Sequence, residues 1–118
     1  MTSTLAHDLY RRWLDELWSG EPEAAERLVS KDFVGHWPGR DTHGPAELAD
    51  MIAETRGMFS EITFTLEVGP IVEGDLVAAR WTGVGTTPDG TMNFFGNDLL
   101  RLDGDHFVEY WAASSSGS

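Results

Sequence analysis

The spacing of apolar residues changes period once, near Ser60, and divides the chain into a helical front half and an alternating rear half. In the front half Leu5, Leu9, Trp13 and Leu17 recur every four residues, while Asp8, Arg11, Arg12, Asp15 and Glu16 take other directions. That spacing predicts an amphipathic helix, closed by Gly20. Pro22 suits the first turn of a shorter helix reaching Leu28, and Asp32 leads into an extended piece, Phe33 to Trp37. A loop over Pro38, Gly39, Asp41 and Thr42 follows. Gly44-Pro45 then opens a third helix along a stripe of Leu48, Met51, Ile52, Thr55 and Phe59.

Beyond Ser60, Ile62, Phe64, Leu66 and Val68 alternate with Thr63, Thr65 and Glu67, as in a strand with one buried face. Past a bend at Gly69-Pro70, the turn Glu73-Gly74-Asp75 leads to a strand from Leu76 to about Thr87. Pro88-Asp89-Gly90 and Asp103-Gly104-Asp105 frame two more, the last running from His106 to about Ala113. Long strands joined by such turns describe an antiparallel meander. Gly83, Gly85 and Gly96 lie inside strand patterns, where glycine is expected to mark a bulge or bend. The prediction is an α+β domain over residues 1–113, with a curved antiparallel sheet wrapped around the N-terminal helices and an opening between the two layers. Ser114 to Ser118, of low complexity, reads as a flexible tail.

The chain's 118 residues suffice for one domain with its own core. Twenty acidic against eight basic residues give a net charge of −12, which disfavours nucleic acid and anionic membrane surfaces as partners. With no cysteine, disulfides and thiolate chemistry are excluded, and no apolar run has the length of a membrane span. A cytoplasmic protein is expected. Five tryptophans and six phenylalanines are enough to wall a concavity for an apolar ligand as well as to fill a core.

The most informative single residue is Asp98. Phe94, Asp98, Leu100 and Leu102 share one face of a strand, so a carboxylate points where apolar side chains point. Such a group must find donors, find a cation, or keep its proton. Either it marks a site, or the strand bulges at Gly96 and Asp98 bonds to nearby backbone. No histidine pair has metal-ligand spacing, and neither a phosphate loop, a dinucleotide fingerprint nor a nucleophile elbow occurs, so neither metal nor cofactor is expected. Arg101 is out of phase with Asp98 and Arg80 shares a face with Ala78 and Thr82; surface ion pairs are the expectation for both.

The order of these segments resembles the nuclear transport factor 2-like superfamily, and within it the SnoaL-like polyketide cyclases. The resemblance rests on Tyr10-Arg11-Arg12-Trp13, the run Phe33 to Gly39, His43-Gly44-Pro45, the run Gly74 to Trp81, Gly96-Asn97-Asp98 and Val108-Glu109-Tyr110-Trp111. It implies a cone-shaped α+β fold, a pocket between sheet and helices, and a homodimer formed by the outer face of the sheet. Those cyclases usually carry an aspartate about four residues after the last-strand tryptophan, where this chain reads Ala112-Ala113-Ser114-Ser115. Ketosteroid isomerases are also similar around Asp98, where they hold a neutral aspartic acid as oxyanion donor.

By that comparison His36 is the expected base, its imidazole titrating near neutrality, and Asp98 the oxyanion donor. Trp13 would be an auxiliary donor, and Trp37, Phe59, Trp81 and Trp111 further substrate-binding walls. Adjacent strand residues face opposite ways, so at most one of Tyr110 and Trp111 belongs to the pocket, and the resemblance favours Trp111, which is in phase with the cyclases' catalytic position. The function implied is a cofactor-free isomerase or cyclase acting on an apolar carbonyl compound, polyketide- or steroid-like. The alternative is a binding module for a small hydrophobic molecule.

Overall fold

The computed structural model describes the backbone of residues 2–117 and the side chains of residues 4–114. Helix α1 (Thr2–Arg12) runs into π-helical turns over Trp13–Trp18, where Ser19 N bonds Leu14 O at 3.0 Å and Glu21 N bonds Glu16 O at 2.8 Å. The buried face carries Ala6, Leu9, Tyr10, Trp13, Leu14 and Leu17, while Leu5 is exposed. A spacing of four overshoots the helical repeat by about 40° per step, so a stripe begun at Leu5 rotates away from the core. A 3₁₀ turn (Pro22–Ala24) and the short α2 (Ala25–Leu28) follow, then β1 (Val29–Trp37), β2 (Arg40–His43) and α3 (Gly44–Arg56). The stretch expected as a loop after Pro38 is therefore half strand, because a tight turn folds Arg40 back against Trp37. Phe59 lies past the end of α3.

Strands β3 (Glu61–Glu73), β4 (Leu76–Thr87), β5 (Gly90–Asp103) and β6 (His106–Gly117) form the expected meander. The six strands lie in the order β2-β1-β6-β5-β4-β3, a curved, unclosed sheet in an α+β fold. One pairing, β1 with β6, is parallel and brings His36 opposite Trp111. Val68 does not share the buried face of Leu66, since the register of β3 shifts on both sides of it and leaves it exposed. Gly69-Pro70, a cis peptide, continues this strand.

Gly83, Gly85 and Gly96 are not bulges, because the β4–β5 ladder runs unbroken from Leu76↔Arg101 to Thr87↔Gly90. Each is a seat for an aromatic ring: an added Cβ would come 2.4 Å from Phe94, 2.4 Å from Phe59 and 2.3 Å from Trp81, respectively. The last strand also runs past its expected end near Ala113. Strand β6 runs to Gly117, with Ser116 opposite Phe94, because the backbone of β5 offers ladder partners whatever the side chains. Ser118 lies outside the described residues.

The core lies between the helices and the concave face, with Leu28, Phe33, Leu48, Ile52, Leu100 and Phe107 fully buried. Among the described residues no helix is long and apolar enough to cross a membrane.

Candidate functional site

Alternation along β5 turns Asp98 inward, where its cross-strand neighbours are Ala79 on β4 and Ala112 on β6. Two alanines leave open space on either side of the carboxyl. Larger side chains from three elements reach into that space. Tyr10 Oη, from α1, donates to Oδ2 at 2.8 Å; Tyr110 Oη, from β6, donates to Oδ1 at 2.6 Å; Trp81 Nε1, from β4, donates to Oδ1 at 3.2 Å. The Trp13 indole lies close enough to favour the charged form slightly, but its buried Nε1 completes no hydrogen bond.

Asp98 is only 4% exposed, and no cation pairs with it among the described contacts. Burial raises its pKa above the ordinary carboxylate value, outweighing the hydrogen bonds from Tyr110, Tyr10 and Trp81 that pull it down. The same burial, with Asp98 beside them, pushes both tyrosine hydroxyls well above their usual range. Both tyrosines are therefore proton-bearing donors, and the carboxyl is the acceptor of the three, held toward its protonated form by burial.

This carboxyl borders a cavity of about 340 Å³ between the helices and the concave face. Aromatic rings make most of its wall in an unbroken series of contacts. Tyr110 meets Trp37 at 5.0 Å between centroids, Trp37 meets Trp18 at 6.0 Å, Trp18 meets Phe64 at 5.7 Å and Phe64 meets Trp81 at 5.5 Å. Phe94 and Phe59 extend the wall, and Met58, which is exposed, stands at its rim.

Of the residues singled out from sequence, the structure brings Asp98, Trp37, Phe59 and Trp81 together on this cavity. Trp13 lies one layer deeper, fully buried among Phe33, Phe107 and Tyr110, on the same buried helical face as Leu9, Tyr10 and Leu17. His36 and Trp111 are on the other side of the sheet, stacked on each other at 5.6 Å. The physical reason is the parity of β1 and β6: Gly35 and Tyr110 point inward, so their neighbours His36 and Trp111 point outward. There His36 Nε2 lies 2.7 Å from Glu109 and Nδ1 lies 3.4 Å from Asp41. The Glu109 hydrogen bond is the main cause of a raised imidazole pKa.

Sequence reasoning missed Tyr10, Trp18 and Phe64, and set Tyr110 aside in favour of Trp111. The parity of Glu109 was a usable signal, since a carboxylate in step with Trp111 marks that face as the outer one and leaves Tyr110 inside. Arg80 and Arg101 lie on the outer face in exposed ion pairs, with Glu67 at 2.8 Å and Asp75 at 3.1 Å. Among the described residues no three His, Asp or Glu side chains gather into a metal-binding group.

Residues 10–110 match the model of the SnoaL-like domain family. No curated protein matches the chain. Solved structures share its fold. A candidate SnoaL-like polyketide cyclase from Jannaschia sp. superposes with a TM-score of 0.84 at 16% identity, over 95% of this chain and 86% of that one. A candidate polyketide cyclase from Bacillus cereus gives 0.80 at 26% identity, over 91% and 72%. A protein with a ketosteroid isomerase-like fold from Catenulispora acidiphila, solved in complex with trimethylamine, gives 0.79 at 19% identity, over 89% and 83%.

Proposed function

The chain belongs to the SnoaL-like domain family, and on that premise we propose that it is a cofactor-free acid/base enzyme of isomerase or cyclase type, acting on a small apolar carbonyl compound. The observation that carries this reading is the Asp98 carboxyl, buried, paired with no cation among the described residues and open to an aromatic-walled cavity. Among the described residues lining the cavity it is the only carboxyl or imidazole, which gives it the role of proton carrier. His36 has no part in this scheme, because its ring is across the sheet.

In the reaction the Asp98 carboxylate removes a proton from the carbon next to the substrate carbonyl. The C–H bonding pair moves into the new C=C bond and the carbonyl oxygen becomes an enolate oxygen. Protonation of Asp98 weakens its claim on the Tyr110 hydroxyl, 2.6 Å away, which then donates to the enolate oxygen. Return of the proton to a different carbon completes an isomerisation; attack of the enolate carbon on a second carbonyl of the same molecule closes a ring, the C=O pair moving to that oxygen, which takes the proton held by Asp98. Tyr10 and Trp81 hold the carboxyl in place throughout.

The test is deuterium exchange next to the carbonyl of small cyclic ketones in heavy water, followed by NMR. Proton transfer by a positioned carboxylate is worth roughly a hundredfold or more, so Asp98→Asn is expected to slow enzyme-dependent exchange by at least that factor. Exchange at the parental rate in a folded Asp98→Asn protein overturns the mechanism.

A second reading is a binding module that holds a small hydrophobic molecule unchanged. It is favoured by the three hydrogen bonds that already occupy Asp98. A neighbour of the same fold holding a small molecule supports small-molecule binding in either reading. Retention of ketones without exchange would decide for it. The proposal includes a homodimer through the outer face of the sheet, where Leu99, paired with Trp111, and Val84, farther along the strands, are exposed. Sedimentation of the parent and of Leu99→Glu tests that pairing. A cytoplasmic location belongs to the same proposal.

A further inference from the structure

The aromatic series around the cavity closes on itself through Asp98. Tyr110, Trp37, Trp18, Phe64 and Trp81 touch in sequence, and the two ends of that arc, Tyr110 and Trp81, both donate to the same oxygen, Oδ1 of Asp98. All six residues line the one cavity. A closed ring of five aromatic side chains and one carboxyl is more specific than an apolar pocket requires. Aromatic faces are negative at their centres and attract a cation that has shed its water. An apolar neutral ligand gains from the rings only the area that it covers.

The ring's polar members set the preference further. The indole N–H of Trp37 is turned away to Thr42 Oγ1 at 3.0 Å, and that of Trp81 is spent on Asp98. Neither is available to an anion. The carboxyl is buried without a positive partner, so a cation placed inside the ring would supply the counter-charge that the fold leaves out. An ammonium bearing several methyl groups suits such a wall, because its charge is spread over an apolar surface that sheds water readily. The net charge of −12 also draws cations, rather than anions, toward the protein.

We propose that the cavity is an aromatic cage for a compact alkylammonium cation, walled by Trp18, Trp37, Phe64, Trp81 and Tyr110 with Asp98 as counter-ion. The inference names a ligand class for the site already described. It rests on the cavity being a ligand site, not on the proton transfer proposed there. A cavity of about 340 Å³ has room for such a head group together with a short chain beyond it.

The test compares choline with 3,3-dimethylbutan-1-ol, in which carbon replaces the nitrogen and shape is retained, by calorimetry on the intact chain. Choline is expected to bind at least about tenfold tighter than the uncharged isostere. Asp98→Asn is expected to weaken choline by about tenfold and to leave the isostere unchanged. Trp18→Leu alters the ring at a partly buried position that makes no bond to Asp98, and is expected to narrow the preference for choline in a protein that still unfolds in one cooperative transition. If Asp98→Asn fails to fold, the Trp18→Leu result decides. Equal binding of the two compounds overturns the proposal, as does no binding of choline or a preference untouched by whichever variant is folded. Ketone exchange in heavy water is read separately, so loss of the cation site and loss of the carbonyl chemistry remain distinct results.

Discussion

The Tyr110 hydroxyl donates to Asp98 Oδ1 across 2.6 Å, with both groups buried. That bond favours the charged carboxylate, against the larger effect of burial. Tyr110→Phe removes it and keeps the ring. The expected outcome is a further rise in the Asp98 pKa, visible by carbon NMR of labelled aspartate. Where the activity exists, the limb of the pH–rate profile set by Asp98 moves to higher pH. A pKa that stays or falls contradicts the assignment.

Asp98 also makes a signed contribution to stability. Its folded pKa lies above the unfolded value, so between the two the folded state holds more protons than the unfolded one. Stability from this group therefore falls as pH rises from about 4 through the folded pKa, and does not change below that window. Asn cannot ionise. Denaturant unfolding of Asp98→Asn is expected to show a flatter profile above about pH 4 than the parent does.

His36 carries the opposite sign. Its raised pKa means that pairing with Glu109 and Asp41 stabilises the fold below about pH 6.5 and that this contribution is lost as pH rises through the folded value. The ring is 35% exposed, so the effect is small. Glu109→Gln is expected to lower the melting temperature slightly between about pH 5 and neutrality, and at alkaline pH to keep only the smaller deficit left by losing the exposed pair with Arg101 at 3.5 Å. In the proposed mechanism His36→Ala leaves ketone exchange within about twofold of the parental rate.

Gly96 controls the position of Trp81. A methyl group there would come 2.3 Å from the indole ring, which cannot retreat without releasing Asp98. Gly96→Ala is expected to cost about 1–3 kcal/mol in chemical denaturation, as overpacking commonly does. It should also alter tryptophan fluorescence. A variant as stable as the parent with an unchanged spectrum would show that the glycine seat has no such role.

The order of elements was legible because hydrophobic spacing is a local property: a period of two survives in Ile62 to Leu66 whatever lies opposite. Asp98 was legible for the same reason, since its inward direction needs only the alternation of its own strand. Tyr10 was not, because its value lies in a contact with a residue 88 positions away. The choice between Tyr110 and Trp111 failed on parity carried over from a relative. Gly83, Gly85 and Gly96 look from sequence like breaks, and only the rings folded onto them show that they are seats.

What the sequence determined by itself was the α+β architecture, the face of Asp98 and the lack of a thiol, all of which follow from residue type and local period. The tertiary structure alone decided which donors meet that carboxyl, that the aromatic arc closes into a ring, and that His36 lies across the sheet from the cavity. A side chain's direction is fixed by its own backbone, but its partners are fixed by how distant elements pack, and no local pattern encodes that.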